Sequence, residues 1–411
     1  MYGTLAISHR ALDDLAEIAG RDTVDELRSL ARPIEGLRIL NLSVTGFGTG
    51  TAELLNSSVA FMNDLGLDAH WQVVRASSEI AQIQREMYQG LGGLPVEWTQ
   101  GKTDAWLRDA RMNARLLTET FDVVIVHDPQ PLAIRSFVPP SDTRWVMHSH
   151  IDLSSAIDAV WMRLREHVEK YDLAIFPSLS FCRPDITIPK RVVPPAIDPT
   201  SARNMPLPPD LIENVLRQYG IDPARPIVCQ VSPCDAASDL VGVVDAWWRV
   251  RETRPGVQLV FVLTTEAADA AGRASYDEIA RLCHDEADAF VVSGNEIGNV
   301  EVNVFQTAAS VVVQKGLRKG FGLWVSDALW KRRPCVVGPA PGLLEQVIDG
   351  ETGLVAHSSE ELASAITRLL EDRATAEKYG ENGRRRVAER FLITRYLKDY
   401  LGILTELHRT A

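Results

Sequence analysis

The sequence contains few cysteines, and their spacing gives no sign of a disulfide framework or a zinc site. The five cysteines are odd in number and scattered along the chain, and no Cys-x-x-Cys pair occurs among them. Domains that depend on disulfides or on structural zinc carry closely spaced pairs instead. All five are therefore predicted to be buried thiols: Cys182, Cys229, Cys234, Cys283 and Cys335.

A metal site built from histidines is not predicted either. His148 and His150 alternate along a predicted strand, so their side chains share one face of it. Two imidazoles on one face could begin a metal site, but the sequence shows no third ligand beside them. We therefore predict that the chain binds no metal.

Long hydrophobic runs are absent as well. No apolar stretch approaches the roughly 20 residues that a membrane-spanning helix needs. Residues 1–10 lack the charged and then apolar pattern of a secretory signal. The sequence therefore predicts a cytoplasmic protein without integral membrane contact.

The excess of positive charge that is typical of nucleic-acid-binding proteins is also missing. The net charge is −12, which argues against nucleic acid as a partner. One dense basic run, residues 384–386, is interpreted as a solvated helix face, with contact to an anionic membrane surface as the alternative. With 411 residues, of which 45% are hydrophobic, the chain is long enough for two domains.

What the sequence does contain is a regular alternation of short apolar strands and helical segments. The strands are predicted, in chain order, at residues 37–43, 69–74, 121–127, 144–148, 226–232, 256–263, 289–292, 310–314 and 334–338. The proline-rich residues 194–209 separate the first four from the rest. Continuous apolar strands are typical of parallel sheets that are covered on both faces. The pattern predicts an α/β fold of two Rossmann-like, doubly wound domains with a ligand cleft between them.

Three segments of the first half carry candidate binding residues directly after predicted strands. Residues 46–50 (GFGTG) form a glycine-rich turn before a helix, which suits an anion or a sugar hydroxyl, although a simple tight turn explains it equally well. Residues 127–131 (HDPQP) and 150–155 (HIDLSS) each place a histidine and an aspartate at a strand end. Such groups bind hydroxyls, while the alternative is that Asp128 and Asp152 cap the following turns.

The second half has a candidate diphosphate site. Gly320 and Gly322 allow close approach of the backbone, and a helix predicted from near Leu323 directs its amides at a ligand. Ser232 ends the first predicted strand of the same half, and Asp235 follows it. Phe321 and Trp324 are predicted to pack in the core rather than to stack on a ligand.

Together these segments resemble those of the retaining glycosyltransferases of family 4, which have the GT-B fold, and among them the trehalose glycosyltransferring synthases. The resemblance runs from about residue 11 to residue 407. The segments that carry it are residues 48–53 (GTGTAE), 126–131 (VHDPQP), 150–155 (HIDLSS), 195–199 (PAIDP), 230–232 (QVS), 320–323 (GFGL) and 347–353 (VIDGETG). The second and third of these are the specific ones.

The resemblance implies a domain layout and a reaction. Residues 1–35 would be a helical extension, residues 36–205 an acceptor domain, and residues 206–389 a nucleotide-sugar domain, with a last helix near 390–411 crossing back to the first. A sugar would pass from a nucleoside-diphosphate sugar, the co-substrate, to a hydroxyl of a sugar or other small acceptor. The anomeric configuration would be retained, and no cofactor or metal would be needed. A homodimer is left open.

The same resemblance assigns roles to individual residues. The implied acceptor-binding residues are Gly48, Thr49, Gly50, Glu53, His127, Asp128 and Gln130. The implied donor-binding residues are Ser232, Arg318, Gly320, Phe321, Gly322 and Leu323. The implied catalytic residues are His150, Asp152, Lys319 and Asp327.

The sequence departs from the family pattern mainly on the donor side. Pro233 and Ser238 stand where the family carries the Arg and Lys that neutralise the diphosphate, and Asp239 replaces a Gly. Lys319 replaces the first of two glutamates, and Asp327 the second.

On the acceptor side Thr49 interrupts a glycine triplet, and His148 stands at the position of an Arg. We therefore predict a transferase with altered donor specificity. The alternative is a non-catalytic GT-B protein that binds a sugar or a partner protein.

Overall fold

The computed structural model describes residues 3–7, 9–46, 49–264, 270–293, 297–316 and 320–409. The chain divides into two compact units, residues 1–196 with 393–411, and residues 197–392. Residues 197–205, assigned from the sequence to the first domain, lie in the second unit. Among the described residues, no helix is both long and apolar enough to cross a membrane.

The first unit is built on a mostly parallel sheet. Its strands are β1 (Gly3–Thr4), β2 (Arg38–Ser43), β3 (Asp68–Val73), β4 (Val123–His127), β5 (Arg144–His148), β6 (Leu173–Phe176) and β7 (Lys190–Val192). They lie in the order β1-β3-β2-β4-β5-β6-β7, and β1 runs antiparallel to β3. Strands β4 and β5 are direct neighbours in the middle of the sheet, so their carboxyl ends lie side by side.

Helices cover both faces of this sheet. They are α1 (Ala16–Ala19), α2 (Arg21–Ala31), α3 (Gly50–Asp64), α4 (Ser78–Leu91), α5 (Gln100–Leu116) and α6 (Asp158–Val168). The first 35 residues, predicted as a helical extension, contribute Leu12 and Leu15 to the core, both fully buried. This segment is therefore an integral layer of the unit, held by a few apolar side chains on otherwise polar helices.

The second unit has a fully parallel sheet among its described residues. Its strands are β8 (Ile227–Pro233), β9 (Gln258–Thr264), β10 (Ala289–Ser293), β11 (Val311–Gln314), β12 (Cys335–Val337) and β13 (Gly353–Val355), in the order β10-β9-β8-β11-β12-β13. Its helices are α7 (Pro209–Gln218), α8 (Leu240–Thr253), α9 (Ala270–Cys283), α10 (Asn299–Ala308), α11 (Leu323–Trp330), α12 (Pro341–Leu344), α13 (Ser359–Glu371) and α14 (Arg373–Arg390). The central strands are buried on both faces, as their mainly apolar sequences predict.

The last helix, α15 (Ile393–Arg409), returns to the first unit. Its apolar face packs into the same core cluster as α2 and α3, with Tyr396 and Tyr400 both 1% exposed. The buried hydroxyl of Tyr400 lies against His148 of the central strand β5. This hydroxyl belongs to the candidate site described below.

Two helical glycines, Gly380 in the second unit and Gly402 in the first, test how closely the backbone packs around each helix. A Cβ on Gly380 of α14 would overlap the carbonyl of Arg332, whereas a Cβ on Gly402 of α15 has open space. We expect Gly380→Ala to lower the free energy of unfolding by about 1–3 kcal/mol. Gly402→Ala should raise it by up to about 1 kcal/mol because alanine is the better helix former. Midpoints of urea unfolding measure both, and equal effects would contradict the close approach at Gly380.

Candidate functional site

The ends of β4 and β5 bring the predicted histidine and aspartate segments together. His127 is the last residue of β4 and pairs in register with His148 of β5. The Nδ1 atom of His127 lies 3.0 Å from Nε2 of His150, and the amide of His150 donates to Oδ1 of Asp128 at 3.1 Å. The two strand ends therefore form one polar cluster.

Asp128 occupies this cluster in a left-handed backbone conformation, with φ at 65°. Aspartate and asparagine tolerate this region better than other residues with a Cβ. Burial raises the pKa of the Asp128 carboxyl, while His150 and hydrogen bonds from its amide and from the Thr51 side chain act in the opposite direction. Two donors, the His150 amide and the Thr51 side chain, therefore hold the Asp128 carboxyl group at the strand end, a position suited to binding a hydroxyl.

The hydrogen bonds decide which nitrogen of His127 carries the proton. Asn41 donates from Nδ2 to the carbonyl of His70, so its Oδ1 faces His127 as an acceptor. His127 therefore donates from Nε2 to Asn41 and accepts at Nδ1 from Nε2 of His150. Burial lowers the pKa of both imidazoles, which keeps them neutral.

A third imidazole, His148, joins the other two. Its ring centroid lies 4.1 Å from that of His150, and its Nδ1 forms a hydrogen bond with the hydroxyl of Tyr400. The side chain is fully buried, and Nε2 has no hydrogen-bond partner among the described residues. The prediction that His148 and His150 lack a third potential ligand is therefore wrong, because parallel neighbouring strands bring His127 beside them.

The remaining acceptor-side residues lie around this cluster or near its loop. Thr49 caps α3 by accepting the amide of Ala52 at 3.2 Å, and Gly50 is the first residue of that helix. Gln130 is 7% exposed, and its Oε1 has no hydrogen-bond partner among the described residues. Asp152 accepts the amide of Ser154 at 2.8 Å, which is the turn-capping role weighed as its alternative.

The structure says less about the two other predicted acceptor-binding residues, Glu53 and Gly48. Glu53 lies in the first turn of α3 and is half-buried. Gly48 lies outside the described residues. The roles assigned to all these residues stay predictions.

On the donor side, the segment after β8 is closed by its own side chains. Ser232 is fully buried in β8 and accepts from Nε2 of Gln230 at 3.3 Å. Ser238 is equally buried, and its hydroxyl is within hydrogen-bonding distance of Oδ1 of Asp235 at 2.6 Å and the carbonyl of Pro233 at 2.8 Å. At position 238, where the resemblance places a lysine, a short hydroxyl therefore turns inward.

Asp239 lies at the N-terminus of α8 in a left-handed conformation, with φ at 43°. Its carboxylate accepts the amide of Gly242 at 3.2 Å and pairs with the ammonium of Lys315 at 2.6 Å. Lys315 is 6% exposed and also donates to the hydroxyl of Ser359 at 2.9 Å. The helix terminus that would receive an anionic ligand therefore holds a carboxylate of the chain itself.

The glycine-rich donor loop enters α11 through a glycine that the backbone requires. Gly322 is the N-cap of α11 with φ at 74°, a conformation that glycine adopts without strain. Gly320 precedes it, Leu323 is the first helical residue, and Phe321 is 4% exposed in the core, as expected for a packing role. Arg318 and Lys319 lie outside the described residues.

Asp327 is buried inside the second unit, with 2% of its surface exposed. Its Oδ1 accepts from Asn204 at 2.9 Å, and the guanidinium of Arg203 lies 3.8 Å from Oδ2. Arg203 also lies over the ring of Trp324, 4.5 Å from its centroid. The side chain of Asp327 is thus engaged within its own unit.

Sequence reasoning missed three residues of these clusters. Asn41 and Tyr400 orient the imidazoles, and Lys315 provides a buried cation on the donor side. Lys315 follows β11 directly, at the strand end where ligands bind in such folds, and that position is the one signal that could have identified it.

Comparison with solved structures defines the class of the protein. Sucrose-phosphate synthase from Thermosynechococcus elongatus matches with a TM-score of 0.73 at 16% identity, covering 91% of this chain and 100% of that one. The UDP-forming α,α-trehalose-phosphate synthase from Burkholderia xenovorans, solved in complex with glucose-6-phosphate, matches at 0.71 and 14% identity, covering 90% and 100%. At these identities the likeness shows the fold, and it confirms the predicted two-domain α/β architecture of GT-B type.

Sequence comparisons identify the family within that class. The family model described as trehalose synthase, N-terminal domain, matches residues 41–183, and the model described as glycosyl transferases group 1 matches residues 212–386. The trehalose synthase of Pyrococcus horikoshii is 33% identical over 403 residues, and that of Rubrobacter xylanophilus is 34% identical over 406, each covering 97% of both chains. The chain belongs to the trehalose synthase family and is a glycosyltransferase, which confirms both the resemblance and the predicted enzyme class.

Proposed function

We propose that the protein transfers a sugar from a nucleotide sugar to a hydroxyl of a small acceptor, with retention of the anomeric configuration and with a donor specificity different from that of its relatives. The observation that carries the specificity change is the ion pair of Asp239 and Lys315 at the N-terminus of α8, 2.6 Å between charged atoms. The acceptor side has the polar cluster around Asp128. On the donor side, the family's two cations at positions 233 and 238 are absent, and Lys315 is paired with Asp239 instead.

The first unit supplies the groups that would bind an acceptor hydroxyl. Asp128 offers a carboxylate, and Gln130 offers a buried amide oxygen that has no partner among the described residues. A buried acceptor atom without a partner costs free energy, which a ligand hydroxyl would return by donating to it. The amide of His150 orients Asp128, so the histidine and the carboxylate act together.

The second unit would stabilise the leaving nucleoside diphosphate. In this proposal the cation is Lys315, and the backbone amides at the N-termini of α8 and α11 add their partial positive charge. A diphosphate at α8 meets the Asp239 carboxylate, which favours donors that place less charge there. These side chains and amides would stabilise the negative charge that develops on the leaving group, and the nucleotide sugar is a co-substrate.

A screen of nucleotide sugars tests this proposal. The full-length protein is incubated with UDP-, ADP-, GDP- and dTDP-sugars and a panel of free sugars, and products are identified by mass spectrometry. NMR of the new glycosidic bond reads the anomeric configuration. We expect turnover with at least one donor, retention in the product, and thermal stabilisation by the matching nucleoside diphosphate, since a ligand that binds only the folded state stabilises it.

Two results would contradict the proposal in different ways. An inverted product would reject retention while leaving transfer intact. Absence of transfer and hydrolysis across the panel, together with saturable binding of a free sugar and no stabilisation by any nucleoside diphosphate, would support the non-catalytic alternative. A Rubrobacter xylanophilus relative run in parallel is the positive control for assay conditions.

A further inference from the structure

Three imidazoles meet at the centre of the first unit, one at the end of β4 and two at the end of β5. One ring nitrogen each of His127, His148 and His150 lies within 4.8 Å of the other two. All three residues come from the same compact unit, so the cluster depends on a single sheet. His127 and His148 are 1% and 0% exposed, and His150 is half-buried and connects the cluster to the surface.

The surrounding hydrogen bonds direct one nitrogen of each ring toward the others. Oδ1 of Asn41 accepts a hydrogen bond from Nε2 of His127, which leaves Nδ1 facing inward. Tyr400 occupies Nδ1 of His148, which leaves Nε2. His150 presents Nε2 to Nδ1 of His127 at 3.0 Å. Groups that fix the outer nitrogen of a ligating histidine in this way are the usual surroundings of a protein metal site.

A second observation points independently to a ligand. Nε2 of His148 is fully buried and has no hydrogen-bond partner among the described residues. An unsatisfied buried polar atom is rare in folded proteins because it loses the hydrogen bond that it makes with water.

We propose that His127, His148 and His150 bind one divalent transition-metal ion of the zinc type through Nδ1, Nε2 and Nε2, respectively. Zinc–nitrogen bonds of about 2.0–2.1 Å in a tetrahedral site place the nitrogens about 3.3 Å apart. The 3.0 Å between His127 and His150 is close to that spacing, and the ion draws His148 in to match it. The fourth position remains open for water or a hydroxyl.

Metal binding replaces one hydrogen bond, and the proton that formed it stays on His150. The ion replaces the hydrogen bond between His127 and His150, so the proton of His150 moves from Nε2 to Nδ1 and the ring stays neutral. His127 and His148 keep their outer contacts to Asn41 and Tyr400. Three imidazoles suit Zn²⁺, Co²⁺, Ni²⁺ and Cu²⁺, whereas Mg²⁺ and Ca²⁺ prefer oxygen ligands.

Metal titration of the full-length protein tests the proposal. After dialysis against a chelator, the protein competes for Zn²⁺ with a chromophoric chelator, and Co²⁺ is added separately to read the visible absorption of a tetrahedral site. We expect one equivalent of Zn²⁺ to bind, intense Co²⁺ bands, and loss of those bands when Zn²⁺ is added. The titration reads binding alone, so its outcome is separate from whether the chain transfers a sugar.

Three variants locate the ion. His148→Phe removes one ligand and should lower the Zn²⁺ affinity by at least 100-fold and abolish the Co²⁺ bands. Tyr400→Phe removes only the hydroxyl that supports His148 and should weaken binding about 10- to 100-fold. His357→Ala changes an exposed histidine elsewhere and should leave the affinity unchanged. Circular dichroism confirms that each variant is folded.

Several results would overturn the site. The first is that the wild-type protein does not bind one equivalent of Zn²⁺. The second is that the Co²⁺ spectrum is purely of the octahedral type. The third is that wild type and His148→Phe bind Zn²⁺ with equal affinity. Because the wild-type titration needs no substitution, a failure of the His148 variant to fold does not remove the test. Retention of the Co²⁺ bands by a folded Tyr400→Phe variant at unchanged affinity would contradict the supporting role of the phenol.

Discussion

Replacing Pro233 by Arg, Ser238 by Lys and Asp239 by Gly is expected to tighten the binding of a nucleoside diphosphate by roughly 150- to 20,000-fold. Two restored charge-assisted hydrogen bonds contribute about 1.5–3 kcal/mol each, which corresponds to that range. The third change removes the carboxylate at the N-terminus of α8. Isothermal titration with UDP, ADP and GDP measures the effect.

Asp239→Asn is the matched control for this triple variant. Asparagine tolerates the left-handed conformation and can still cap α8, so it removes the charge with little change of shape. We expect a smaller gain in diphosphate affinity and a loss of up to about 3 kcal/mol in the free energy of unfolding, because Lys315 keeps its buried charge without its partner. Unchanged affinity in both variants would show that α8 does not contact the diphosphate.

Asp128→Asn should lower kcat/KM by roughly 10- to 150-fold. The substitution replaces a charged acceptor of hydrogen bonds, which contributes about 1.5–3 kcal/mol, by a neutral one. Asparagine tolerates φ near 65° and can accept the amide of His150, so the local geometry is kept. Steady-state rates with the donor found in the screen measure the effect.

Stability separates a binding role of Asp128 from a structural one. Burial raises the pKa of this carboxyl, so the ionised form costs stability above that pKa, and the neutral amide avoids the cost. Asp128→Asn is therefore expected to lose activity while its unfolding midpoint at pH 7.5 stays equal or rises. The exposed Asp142→Asn serves as a control for charge. Full activity of the Asp128 variant would remove this carboxylate from the acceptor site.

Much of the fold could be predicted from the sequence because its causes are local. Mainly apolar stretches of five to seven residues form the central strands β4 and β8, and the predicted strand at residues 226–232 is β8 within one residue. The glycines around residue 322 predict a turn into a helix, and Gly322 has the positive φ that this turn needs. These features depend on residues that are close in sequence.

The sites depended on more than local pattern. The order of strands in a sheet is not written in any one strand, so nothing in the sequence placed His127 beside His148 and His150. From the sequence, Asp239 was interpreted only as the replacement of a glycine. Its ion-pair partner Lys315 could not be predicted, because it follows a different strand, β11. The packing of the second unit brings the buried cation of Lys315 against the half-buried carboxylate of Asp239.

By itself, the sequence determined the two-domain α/β architecture, because strand periodicity is a property of contiguous residues. Its resemblance to the trehalose synthases, which the comparisons confirm, identified the chain as a glycosyltransferase. Only the tertiary structure decided that His148 bonds to Tyr400, 252 residues further along the chain, and that a third imidazole completes their cluster. Side-chain hydrogen bonds form between whatever atoms folding brings within about 3 Å, and that proximity is a property of the packed core.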